Sequence, residues 1–127
     1  MQAGLEKWAD SIFGILKQGT DYVFFGSHSG PPATITKTVG TLDAQVSGSV
    51  RTGIVIQNMK NEYDYAAGGP VYRDADSGAL IMFYHAEKWP GGDHNEFRAL
   101  YGLAKSTDGG DTWYDLGEIV TARKSLV

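Results

Sequence analysis

The stretch Ser106-Thr107-Asp108-Gly109-Gly110-Asp111-Thr112-Trp113 decides the expected fold. It joins two segments with the composition of β-strands, and its Asp and Gly residues are typical of a tight turn. An Asp in such a turn accepts N–H bonds from its own backbone, and Gly110 tolerates a positive φ. The stretch therefore predicts a β-hairpin in which Asp108 has a structural role rather than a catalytic one.

The same stretch matches the pattern S-x-D-x-G-x-T-W in full and resembles the Asp-box of sialidases and other propeller proteins. The resemblance implies that the ring of Trp113 packs between neighbouring blades. In the resembling families the box joins the third and fourth strands of a blade, on the face opposite the active site. The residues it assigns to this structural box are Ser106, Asp108, Gly110, Thr112 and Trp113.

The chain repeats one pattern of short strands and Gly-containing turns. Two blade-like units, residues 8–57 and 66–121, fall within a single β domain, 1–127. The predicted strands are Ser11–Leu16, Asp21–Ser27, Ala33–Val39 and Thr52–Gln57 in the first unit, and Pro70–Arg73, Ala79–Ala86, Phe97–Lys105 and Thr112–Val120 in the second. Two four-stranded units in series predict an all-β fold of two antiparallel propeller-type blades. The continuous apolar run Leu80–Tyr84 predicts a strand buried on both faces.

Composition excludes several classes of protein. The 127 residues include 15 acidic and 11 basic side chains, and nucleic-acid binders usually show a basic surplus instead. Without cysteine there is no disulfide, thiolate metal site or cysteine nucleophile. No apolar run is long enough to span a membrane, and the first residues lack the pattern of a signal peptide. We therefore expect neither nucleic-acid nor membrane partners, and a cytoplasmic location by default.

Two further segments resemble the five-bladed propeller glycosidases of the arabinanase, xylosidase and levanase types. Trp8-Ala9-Asp10-Ser11-Ile12, followed by Gly19–Ser27, is similar to their first blade, in which an Asp opens the innermost strand. Gly68-Gly69-Pro70-Val71, followed by Ile81–Glu87, is similar to a later blade. The resemblance implies a carbohydrate ligand.

Strand order sorts the candidate site residues. Consecutive strands run antiparallel, so the loops alternate between two faces, and one face collects all three histidines and an aromatic-rich loop. Aromatic rings and polar groups from several loops suit sugar binding. The residues predicted to bind the sugar are His28, Tyr65, His85, Trp89, Asp93 and His94. Asp10 is the candidate general base and Glu87 the candidate acid. The simpler alternative for Asp10 is a cap or a surface charge, and for Glu87 a solvated pair with Lys88.

The departures from the glycosidase pattern decide between the functions. Gly69-Pro70 stands where those enzymes have Asp-Pro, and the chain offers no third blade to supply their acid. Glycoside hydrolysis needs two carboxyl groups at a defined separation. The leading prediction is therefore a carbohydrate-binding protein without a cofactor. The alternatives are a glycoside hydrolase, or a fragment of one, that uses Asp10 and Glu87, and a structural or interaction module. A metal site at residues 93–96 is only weakly indicated, because one His among hard ligands is a poor metal signal.

Two blades cannot close a propeller, since closed rings have about four to eight. Three arrangements would cover the remaining apolar surface: copies of the chain could assemble symmetrically, the chain could be part of a longer protein, or the sheets could pack as a sandwich. Of the three, we expect a homo-oligomer.

Overall fold

The computed structural model describes residues 13–28, 34–59 and 63–121, and these form an all-β fold. The strands are β1 Gly14–Gln18, β2 Asp21–His28, β3 Thr34–Gly40, β4 Val50–Ile54, β5 Ile56–Gln57, β6 Tyr65–Arg73, β7 Leu80–Lys88, β8 Arg98–Ser106 and β9 Trp113–Thr121. A short 3₁₀ turn, Pro90–Gly92, follows β7. No helix in the described part of the chain has the length and apolar character needed to cross a membrane.

The strands form two sheets, one of which curls into a half-barrel. The first sheet has the order β1-β2-β3-β4, and each strand is antiparallel to the next. The second has the order β5-β9-β8-β7-β6. Its last four strands form an antiparallel meander, whereas β5 pairs with β9 in parallel. The all-β prediction is thus confirmed at this level.

The predicted strand Thr52–Gln57 was wrong in one respect, because the segment divides between the two sheets. Gly53 has a φ of 71°, a conformation that ordinary strand residues do not adopt. The chain changes direction after Ile54, and β5 then pairs with the start of β9. The second sheet consequently has five strands rather than four, and one of its strand pairs is parallel.

The core lies between the two sheets. Alternate residues of β2 and β7 face it, and the buried cluster includes Val23, Phe25, Leu80, Met82 and Tyr84. The edge strands β1 and β6 approach closely, since a Cβ on Gly14 of β1 would lie 2.3 Å from the Val71 side chain of β6. Larger side chains at this crossing would separate the sheets.

The two sheets differ in the burial of their outer faces. On the first sheet, Phe24 points away from the second sheet yet is only 3% exposed, and Thr38 is 1% exposed. On β7, by contrast, Phe83 is 45% exposed between buried Met82 and Tyr84. The prediction that Leu80–Tyr84 is buried on both faces was therefore wrong: an uninterrupted apolar run does not distinguish a fully buried strand from one with an open apolar face.

The turn from Ser106 to Trp113 is organised around the Asp108 carboxylate. Its Oδ1 accepts the backbone N–H groups of Asp111 at 3.0 Å and Thr112 at 2.9 Å, and the Ser106 hydroxyl at 2.8 Å. Its Oδ2 accepts the Thr112 hydroxyl at 2.6 Å. These bonds, that of the Thr112 hydroxyl above all, hold the pKa of Asp108 well below its ordinary value. The carboxylate thus holds the turn in its conformation.

Trp113 connects this turn to the opposite sheet. Its indole N–H donates to the Gly110 carbonyl at 3.1 Å, and its fully buried ring meets the ring of Phe25 edge-on at 5.5 Å. Asp111, in the same turn, forms a 2.9 Å ion pair with Lys37 of β3. The turn therefore joins the sheets by an aromatic contact and an ion pair.

We expect Gly110→Ala to destabilise the fold much more than Gly109→Ala. Both glycines have a positive φ, so either alanine costs about 1 kcal/mol of backbone strain. Only at Gly110 would the new Cβ meet Phe25, at 2.3 Å, which adds about 2 kcal/mol of overpacking. Urea unfolding followed by circular dichroism measures the difference. Equal midpoints for the two variants would show that the contact with Phe25 is not tight.

We also expect Asp108→Asn to lower the free energy of unfolding by about 2 kcal/mol at neutral pH, since charge-assisted bonds are lost. Because the folded-state pKa is lowered from 3.8, the stabilisation is present above that value and lost as the pH falls through the folded-state pKa. The gap between the wild-type and variant urea midpoints should therefore shrink in acid. Asp76→Asn, in the exposed turn after β6, is the control and should change stability by less than about 0.5 kcal/mol. A gap that is constant with pH would contradict the assignment.

Candidate functional site

The predicted sugar-binding residues of the second unit meet at one end of the second sheet. Tyr65 opens β6 and is the direct partner of Glu87 near the end of β7. Ser106, where the Asp108 turn begins, pairs with Leu80 at the opposite end of β7. Since side chains alternate along a strand, His85 and Glu87 lie on the same face, and this is the outer face of the sheet. The candidate site and the Asp108 turn therefore occupy opposite ends of the sheet.

Glu87 is the centre of the cluster. Its Oε2 accepts the indole N–H of Trp89 at 2.7 Å, and its Oε1 lies 3.4 Å from Nε2 of His85. The Glu87 side chain is only 17% exposed. A carboxylate in this position is oriented by two neighbours and still reaches the surface, so it can accept hydrogen bonds from a ligand.

Asp64 holds the backbone of Trp89 in place. Its Oδ2 accepts the backbone N–H of Trp89 at 2.7 Å and lies 3.3 Å from Nζ of Lys88. The bond from Trp89, followed by the contact with Lys88, lowers the pKa of Asp64 against the opposing effect of burial. The Asp64 backbone N–H in turn donates to the Glu87 carbonyl at 2.9 Å. The chain before β6 and the chain after β7 are thereby held together at the site.

Aromatic rings surround the carboxylate. The His85 ring lies 5.8 Å from that of Tyr65 and 5.7 Å from that of Tyr101, its cross-strand partner on β8. On the loop side, the rings of Trp89 and His94 are 6.1 Å apart. The cluster thus combines flat apolar surfaces with nitrogen and oxygen atoms that can form hydrogen bonds.

The loop that carries Trp89 and His94 is shaped by its glycines. Gly91 and Gly92 both have positive φ, and the Gly92 N–H donates to the Trp89 carbonyl at 2.9 Å. Asp93 accepts two bonds from Asn95, both at 2.9 Å, and these bonds lower its pKa. One oxygen of Asp93 is therefore used within its own loop, which gives this residue a turn-forming contact beside its predicted role in sugar binding.

Three of the predicted residues are not placed in the cluster, one of them Asp93, whose side-chain hydrogen bonds are with Asn95 in its own loop. Asp10, the candidate base, lies outside the described residues. His28 ends β2, where its backbone is opposite Thr34, and its side chain also lies outside the description. Within the described ranges, no group of three or more His, Cys, Asp or Glu side chains is arranged to hold a metal ion.

Sequence reasoning did not assign a role to Asp64 or Tyr101. Tyr101 could have been found from the register, because a β7–β8 hairpin that pairs Leu80 with Ser106 also pairs His85 with Tyr101. Loop order predicted that Asp64 lies on the same face as the candidate site, but its bond to the Trp89 backbone depends on how two loops meet and had no local signal.

A cavity of about 200 Å³ lies elsewhere, between the sheets and beside the Asp108 turn. Leu16, Phe25 and Leu80 contribute its apolar wall, and Lys37 and Arg73 its charged one. Of the predicted sugar-binding residues whose side chains the structure describes, none lines it. The cavity and the Glu87 cluster are therefore separate features.

Comparison of the chain with protein-family models, with curated proteins and with solved structures found no match. The evidence for a function is therefore the geometry of the cluster itself.

We expect the hydrogen bond between Trp89 and Glu87 to be visible by NMR. In Glu87→Ala the indole N–H loses its acceptor, so its proton resonance should move upfield. In Glu87→Gln the shift should be smaller, because an amide oxygen can still accept. The Trp113 indole N–H, which donates to Gly110, is an internal reference and should not move. An unchanged Trp89 resonance in Glu87→Ala would show that the two side chains do not bond in solution.

Proposed function

We propose that the chain is a carbohydrate-binding protein and that the sugar binds at the Glu87 cluster. The observation that carries the proposal is the fixed Glu87 carboxylate, held by the Trp89 indole at 2.7 Å and next to His85 at 3.4 Å. A sugar presents hydroxyl groups that donate to such a carboxylate, and C–H faces that stack on aromatic rings. Both kinds of partner are within one cluster here.

The arrangement of the rings supports this role. Tyr65, His85 and Tyr101 come from three adjacent strands, and their rings follow one another at 5.7 to 5.8 Å. Such a row provides a platform on a rigid sheet, while Trp89 and His94 belong to a loop at its end. Binding sites commonly combine apolar surfaces with a few oriented polar groups, and this cluster has that composition.

Hydrolysis of the sugar is the less supported function. It requires a second carboxyl group beside Glu87. Asp64 is the neighbouring carboxylate, and the Trp89 backbone and Lys88 already bond to its Oδ2. The predicted base, Asp10, is outside the described residues, so no contact argues for a catalytic pair. A purely structural module remains the third alternative, and it predicts no sugar response at all.

A panel of soluble arabino-, xylo- and fructo-oligosaccharides, tested by calorimetry and NMR, examines the proposal. We expect Trp89→Ala to weaken binding at least about tenfold, which corresponds to loss of roughly 1.4 kcal/mol. Trp89→Phe keeps a stacking ring without the indole N–H and should retain part of the affinity. Leu42→Ala, an exposed apolar side chain in the loop after β3, is the control and should bind as the wild type does.

Two outcomes would replace the proposal. Turnover of aryl-glycosides that disappears in Glu87→Gln would favour the hydrolase. No response to any oligosaccharide would favour the structural module.

A further inference from the structure

The outer face of the second sheet is an open apolar surface. This outer face consists of the side chains of Tyr72, Ile81, Phe83, Tyr101, Leu103 and Tyr114. Their register places them in cross-strand rows, with Phe83 opposite Leu103 and Ile81 next to Tyr72. Tyr72 is 62% exposed and Tyr101 is 51% exposed. Exposed apolar patches larger than a few hundred Å² generally mark an interaction site.

The first sheet offers no equivalent surface. On its side that points away from the second sheet, Phe24, Thr36 and Thr38 are buried, and the exposed apolar side chains among the described residues are Ile15 and Val50, on its two edge strands. A head-to-tail ring of copies needs two different open faces on each copy, whereas a two-fold pair uses the same face twice. Because the second sheet carries the larger apolar face, a two-fold pair through that face buries more apolar surface than a head-to-tail contact.

We propose that two copies of this chain pack face to face through the outer face of the second sheet. The face is large enough for this partner. Four strands spaced about 4.8 Å apart and nine residues long at about 3.3 Å per residue cover roughly 570 Å² on each copy. Burying both faces removes about 1,100 Å², which is near the lower limit for a specific protein–protein interface. The pair is consequently expected to dissociate on dilution.

Charge at the two ends of the face fixes the orientation of the copies. Lys105 lies on this face in the row of Ile81, and Glu87 lies on it at the other end of β7. If the strands of the two copies run in opposite directions, Lys105 meets Glu87 of the partner subunit, and the two-fold axis repeats this contact. With the strands in the same direction, like charges would meet instead. The antiparallel orientation therefore places opposite charges together, in addition to the contacts that Glu87 makes with Trp89 and His85 in its own chain.

Self-association also affects the Glu87 cluster. His85 and Tyr101 belong to both the cluster and the outer face. In the antiparallel pair, the end of the sheet that carries Glu87 lies against the end of the partner's sheet that carries Lys105. Lys105 of the partner subunit then lies against the proposed sugar site, and the pair covers the rings of His85 and Tyr101, so self-association and sugar binding at this cluster would compete. The pair forms without any sugar, so the inference does not depend on the proposed function.

Sedimentation or light scattering of the whole chain, without sugar and over a range of concentrations, tests the inference. We expect a mass of twice 13.7 kDa at high concentration that falls toward 13.7 kDa on dilution. Phe83→Lys should shift the dissociation constant upward at least about a hundredfold, since it places a charge at the centre of the buried face. Leu42→Lys makes the same change at an exposed position outside this face and should leave the pair intact.

A charge exchange tests the orientation without depending on one variant. Lys105→Glu and Glu87→Lys should each weaken the pair, because like charges then meet across the axis. The double variant should restore it, and circular dichroism of all variants verifies that they fold. A monomer at every concentration, a pair that survives Phe83→Lys, or a double variant that stays dissociated would each overturn the inference.

Discussion

The contact between Trp113 and Phe25 is the interaction on which the rest of the structure depends. It is the point at which the Asp108 turn of one sheet meets the second strand of the other. Gly110 has to lack a side chain because the Phe25 ring occupies the space in which a Cβ would lie. Once the turn is in place, the register of β8 and β9 follows, and with it the faces on which β7 presents its side chains.

The geometry of the candidate site follows from that register. His85 and Glu87 share a face because they are two residues apart on a strand, and Tyr101 joins them because its strand is paired without a shift along β7. The loop is held by two other hydrogen bonds. The Trp89 backbone N–H donates to Asp64, and the Trp89 indole N–H donates to Glu87. A rigid sheet therefore provides the platform, and two carboxylates orient the loop above it.

Local patterns predicted much of this arrangement. The Asp and Gly spacing of residues 106–113 indicated the hairpin, and the last three strand candidates of the second unit lie within two residues of the observed strands. The first candidate, Pro70–Arg73, was too short, because β6 begins at Tyr65. Information that depends on distant contacts was missing. Nothing local shows that Ile56 leaves the first sheet to pair beside Trp113, or that Phe83 is open while Phe24 is buried. The cluster around Glu87 was predicted by residue type and loop order, whereas Asp64 required knowledge of how two loops meet.

The pairing of β5 with the second sheet has a consequence for how the two halves of the chain fold. Ile56 and Gln57 belong to the predicted first unit, yet they complete the edge of the sheet formed by the strands of the predicted second unit. The first unit contains all four strands of its own sheet, whereas the second lacks one of its five. Cleavage of the polypeptide between β5 and β6 would therefore leave the second piece without the strand beside Trp113, and we expect that piece to complete its sheet only when the first piece is bound.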